Sequence, residues 1–144
     1  MELFSLEIEE FAKLLVEWVR DATIRINDTI LPRALSGEHA TPSSRRWKEA
    51  ADSGSPEAFA KVLIADIVDD TIAHLLGAID QDVLRLSFTA TNGKSIDLAT
   101  ETDGLSGWYG GGGGWCEKYT KERFVDDLAD LKGFFDRPSD ADQI

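Results

Sequence analysis

Apolar residues recur at steps of three and four from the start of the chain: Phe4, Ile8, Phe11, Leu15, Trp18, Val19, Ala22, Ile26 and Ile30. That spacing keeps one stripe of a helix apolar from Ser5 to about Leu31. Leu31 precedes Pro32, whose ring disfavours helical backbone in the residue before it, so the helix is expected to stop there. Pro32 to Ser44 holds two prolines, a glycine and several Ser and Thr residues, which is loop chemistry. Ser43 or Ser44 can then cap a short helix, RRWKEAAD, stopped by Gly54.

Ser55 to Asp80 is the stretch around which the chain is organised. Ser55 can cap, Pro56 presets φ at the first helical position, and Glu57 suits the positive end of the helix dipole. At about 100° per residue, Asp66, Asp69, Asp70, His74 and Asp80 share an arc of roughly 140°. The rest of the circumference carries Ile64, Ala65, Ile67, Val68, Ile72, Leu75, Leu76, Ala78 and Ile79. A helix with so wide an apolar arc is expected at the centre of the fold, wrapped by neighbours and showing solvent only its acids.

The period then falls to two. Leu84, Leu86, Phe88 and Ala90 alternate with polar residues, and Asn92-Gly93 is a strong hairpin signal. A three-residue loop, Asn92 to Lys94, pairs Ala90 with Ile96 and Phe88 with Leu98 and keeps one face apolar, with Gly93 near the left-handed region. That face is expected to lie on the helices, because a lone hairpin is marginal in water. A glycine run, Gly110 to Gly114, follows between Trp108-Tyr109 and Trp115. Thr120 can cap a last helix with Phe124, Leu128, Leu131 and Phe135 on its buried stripe. The pattern therefore predicts a single mainly helical α+β domain over residues 1–136. It has a long central helix packed by N- and C-terminal helices, one antiparallel β-hairpin, and a loose polar tail at 137–144.

Composition narrows the functional classes. The 144 residues carry 15 Lys+Arg against 27 Asp+Glu, a net charge of −12. Such a chain repels nucleic acid and anionic membrane and attracts a basic macromolecule. One cysteine, Cys116, excludes an intrachain disulfide. The opening MELFSLEIEEF lacks the basic and apolar regions of a secretory leader, and no apolar run approaches the ~20 residues of a membrane span. The expected setting is a reducing cytoplasm.

Candidate chemistry gathers at two places. Asp66, Asp70 and His74 stand at successive i+4 steps beside Asp69, a set that could hold a divalent cation. No Lys or Arg lies between Lys61 and Arg85, so these acids meet water, a cation, or bases from another segment such as Arg45 and Arg46. The basic stretch around Trp47 is either an anion clamp or the answer to those acids, and the second reading needs nothing extra. The glycine run lacks the spacing of a phosphate-binding loop, and its aromatic flanks Trp108, Tyr109 and Trp115 suit a contact surface. Neither a serine elbow nor a cysteine-protease signature is present.

These readings lead to a non-enzymatic binding protein with no cofactor, comparable in size and charge to bacterial inhibitors and toxin-neutralising immunity proteins. Its expected contact residues for a basic protein partner are Asp66, Asp69, Asp70, His74, Trp108, Tyr109 and Trp115, and self-association through the Trp-flanked loop is a further possibility. The alternative is a metal-dependent hydrolase with Asp66, Asp70 and His74 as ligands.

Overall fold

A computed structural model of the chain describes residues 5–127. Its elements, in order, are α1 (Leu6–Leu15), a π-helical stretch (Val16–Asp21), α2 (Ala22–Leu35), α3 (Pro42–Asp52), α4 (Pro56–Asp80), β1 (Ser87–Thr89), β2 (Ser95–Asp97), α5 (Leu105–Tyr109) and α6 (Trp115–Tyr119). This is the mainly helical α+β architecture the pattern predicts. α4 touches α2, α3, α5 and the π stretch, so it is the hub. Ser55 caps it as expected, its hydroxyl accepting from the Ala58 N–H at 3.3 Å, with Pro56 in the first turn.

The compact core sits at the C-terminal half of α4. Ala78 and Ile79 are buried there with Val19, Leu84 and Leu105, and Leu75, Leu76, Leu86, Leu98 and Trp115 pack around them. A second contact zone joins α2, α3 and α4, where Ala34, Ser44 and Trp47 are buried. The apolar wrapping expected of α4 is incomplete, because Ile64 and Val68 remain 55% and 53% exposed. The last helix is predicted to open at Thr120, but over its described part, residues 120–127, the chain is neither helix nor strand. Leu128, Leu131 and Phe135, and the tail at 137–144, lie outside the described residues.

The N-terminal helix departs from its prediction twice. It runs past Pro32 to Leu35, because fully buried Ala34 holds the last turn against α3 while Ser36 N–H still reaches the Pro32 carbonyl at 3.1 Å. Packing there outweighs the hydrogen bond that proline cannot make. The apolar stripe is also not continuously buried. Of its described members only Val19 is buried, while Ile8, Phe11, Trp18 and Ile26 are 41–54% exposed. The π stretch explains this, since its wider turns shift the faces on either side out of line. The next helix, α3, begins at Pro42 with Thr41 as its cap, earlier than Ser43 or Ser44 would place it.

In the hairpin, Phe88 pairs with Ile96 and Ser87 with Asp97. The loop has three residues, as expected, but they are Thr91 to Gly93, closed by Ala90 N–H to the Lys94 carbonyl at 2.9 Å. Gly93 takes φ +82°. The register is two residues from the predicted one, which leaves each side chain on the same face. The hairpin tip stands off the helices, with Phe88 57% exposed, and only its base joins the core through Leu86 and Leu98.

The glycine run is a tight connection between α5 and α6. A Cβ on Gly114 would lie 2.6 Å from the Gly110 carbonyl oxygen and 2.9 Å from that of Tyr109, whereas Gly110 has open space around it. Trp108 and Trp115 meet edge-to-face across this turn, 5.6 Å between centroids. Replacing Gly114 by Ala should destabilise the fold by about 1–3 kcal/mol in urea unfolding, while Gly110→Ala should be near neutral.

Asp80, at the exposed end of α4, accepts from the N–H groups of Leu105 and Ser106 at 2.8 and 3.0 Å and from the Ser106 hydroxyl at 2.8 Å. It thereby caps α5 from another element. Partial desolvation would raise its pKa, but the bonds from Ser106 and Leu105 prevail and hold it below the ordinary 3.8. A depressed carboxyl contributes stability above its unfolded pKa and loses it as pH falls through the folded value. Asp80→Ala should therefore cost about 1 kcal/mol at neutral pH. Thermal melts should show the gap to the parent chain closing as the pH drops below 3.8.

Candidate groove on the central helix

The polar face of α4 looks into a groove of about 780 Å³ walled by α2, α3, the start of the glycine run and residues 123–127. Asp66, Asp69 and Asp70 lie along its floor, with Asn27, Trp47, Tyr109 and Cys116 around them. Helical geometry alone places the three acids together, since they are one, three and four residues apart on one element.

Each acid is held by a donor from a different part of the chain. Asp66 accepts from Arg46 Nη2 at 2.8 Å and from the indole N–H of buried Trp47 at 2.7 Å. Arg46 also bonds Asp127, so one guanidinium joins α3, α4 and the segment after α6. Burial opposes the Arg46 charge, but the bonds to Asp127 and Asp66 prevail and raise its pKa above the ordinary arginine value. Asp69 accepts from the Tyr109 hydroxyl at 2.6 Å and from the Cys116 thiol at 3.8 Å. Asp70 accepts from Asn27 Nδ2 at 2.7 Å. His74 Nδ1 lies 2.8 Å from the Asp70 carbonyl and 3.2 Å from Thr23 Oγ1, placing the ring at the α2–α4 contact.

Of the contact residues expected from the sequence, the groove brings together Asp66, Asp69, Asp70 and Tyr109. His74 and Trp108 do not line it, and Trp115 lines a neighbouring cavity of about 720 Å³ with Ile64, Val68 and Tyr119. Arg46 does answer the acidic helix face, as the simpler reading of the basic stretch holds. Asn27, Asp127 and Arg123 were not legible as site residues, because nothing in their local sequence marks them. Of the trio Asp66, Asp70 and His74, Asp66 is held by Arg46 and Trp47, while Asp70 accepts from Asn27 and lies 3.7 Å from His74 Nδ1. Among the described residues, no group of three or more His, Cys, Asp or Glu side chains is placed to hold a metal ion.

The groove is locally balanced. Asp66, Asp69, Asp70 and Asp127 face Arg45, Arg46, Lys61 and Arg123. Carboxylates each have about four acceptor positions, so those on the floor keep capacity for further donors. Cys116 meets a carboxylate and a phenol, neither of which is the imidazole partner a thiol nucleophile uses. Among the described residues no helix is long and apolar enough to cross a membrane. Comparison with protein families, curated proteins and solved structures gives no match.

Burial, then the bonds to Asp69 and Cys116, push the Tyr109 phenol well above its ordinary value of 10. In a Tyr119→Phe background, absorbance at the phenolate band should show Tyr109 resisting ionisation beyond that value. Asp69→Asn should move its titration back down, because the neutral amide no longer opposes the phenolate.

Proposed function

We propose that this chain is a small acidic binding protein without catalytic activity, which receives a basic segment of a protein partner at the α4 groove. An inhibitor or toxin-neutralising role fits that chemistry. The observation that carries the reading is the row Asp66, Asp69 and Asp70, fixed by donors from α2, α3, α5 and α6 at the floor of an open groove. Acceptors held in place in this way bind a guanidinium or ammonium without first having to be ordered. Because the groove's own charges balance, attraction at a distance comes from the whole-chain charge of −12, while the groove supplies orientation.

An arginine-rich peptide is the direct probe. Its association rate should fall roughly tenfold or more as salt rises from about 0.05 to 0.5 M. The double substitution Asp69→Asn/Asp70→Asn should weaken binding by about 1–3 kcal/mol. Glu9→Gln/Glu10→Gln on α1, with the same change in net charge, should only slow association. Equal losses from both pairs would show that the peptide senses overall charge and would remove the groove as its site.

A further inference from the structure

The groove and the cavity beside it are two parts of one trough, for they share Ala65, Asp69, Tyr109, Cys116 and Arg123. Lys61, Ala65 and Asp69 stand at steps of four, so they line up along one side of α4. Both ends of that line carry groups from other elements. Arg123 Nη2 donates to the Lys61 carbonyl at 3.2 Å, and Tyr109 and Cys116 donate to Asp69. Ala65 between them adds only a methyl group, and Lys61 and Asp69 are about 12 Å apart along the helix axis. The line therefore has a low point at Ala65 with room for one extended chain, since neighbouring strands stand about 4.8 Å apart and stacked sheets about 10 Å.

The two sides of this passage differ in chemistry. At about 100° per residue, Asp66 and Asp70 turn to one side of the Ala65–Asp69 line, and Ile64 and Val68 to the other. The short bonds at Asp69 and Asp70 come from neutral groups, the Tyr109 hydroxyl and the Asn27 amide, so they order the carboxylates without cancelling their charge. On the other side, Ile64 and Val68 are more than half exposed and line the second cavity with Trp115 and Tyr119. Charge selects what can enter. A second copy of this chain brings its own −12 and is repelled, whereas a basic protein is drawn in.

We propose that the trough reads a paired signal on a protein partner. A basic residue sits at Asp69 and Asp70, and a large apolar residue crosses Ala65 to rest on Ile64, Val68, Trp115 and Tyr119. A helix with its side chains is about 10 Å across and an extended chain advances about 3.3 Å per residue, so the two partner residues stand about two or three positions apart. The pairing rests on the function proposed above and adds an apolar requirement to it.

Two peptides of equal length and charge test this by calorimetry on the full chain. One sets Arg among Gly and Ser; the other also carries Leu about two or three positions from an Arg. The Leu-bearing peptide should bind roughly tenfold tighter, the scale of burying one such side chain. Ile64→Ser/Val68→Ser, at exposed positions and unchanged in charge, should abolish that advantage and leave the affinity of the Arg-only peptide as it was. In the parent chain, Ile64 and Val68 methyl signals should shift with the Leu-bearing peptide only, a readout that needs no variant. Equal affinity of the two peptides, an advantage that survives the double substitution, or methyl signals blind to the Leu would overturn the pairing and leave the groove standing. Failure of both peptides to bind would overturn the groove as a partner site, and the pairing with it.

Discussion

The structure depends on the rule that a partly buried carboxylate must be met by donors. α4 carries three such groups in a line and a fourth carboxylate, Asp80, at its exposed end, and each draws in a different element. Arg46 and Trp47 bring α3 to Asp66, Tyr109 and Cys116 bring the glycine-linked pair to Asp69, Asn27 brings α2 to Asp70, and α5 starts on Asp80. Among the described residues the main apolar cluster holds five buried side chains, and the polar line joins them in setting where the helices stand. Removing one acid would leave its donors unsatisfied as well as breaking a bond, and the donor side carries the larger cost where it is buried, as at Trp47.

The division of labour along α4 follows from this. Its C-terminal half is gripped by aliphatic contacts from the π stretch, the hairpin base and α5, and its N-terminal half by charge and hydrogen bonds. An open groove survives only in the second kind of neighbourhood. Apolar packing closes gaps, whereas directional bonds hold walls apart at fixed spacing. The wide aliphatic arc of α4 is the counterpart: Ile64 and Val68 stay more than half exposed, while the segment after α6 is tied to α4 through Arg123 and to α3 through Arg46.

How much of this was legible in the sequence depends on how local each signal is. The start of α4 could be read because Ser55, Pro56 and Glu57 are adjacent, and its acidic row because helical geometry fixes side chains four apart. The hairpin loop length and the role of Gly93 were equally local, but its register was not. A slip of two residues preserves the apolar face, so alternation cannot choose between the options, and the Ala90–Lys94 hydrogen bond does. The donors on the groove were hidden because they come from afar: Asn27 lies 43 residues from Asp70, and Tyr109 lies 40 from Asp69. Thr120 looked like a cap because the anchors of the segment after it, Lys61 and Arg46, are also remote.

The π stretch at Val16–Asp21 leaves the N-terminal rod in two independent halves. Each residue of a regular helix advances the azimuth by about 100°, so trimming a single codon from that stretch would rewind it and swivel α1 by that angle. Leu6, Ile8 and Phe11 would sweep round to another bearing, while Thr23 and Asn27 kept their posts against α4. Insertions and deletions at this joint thus offer descent a way to redraw one surface of the molecule and spare the other.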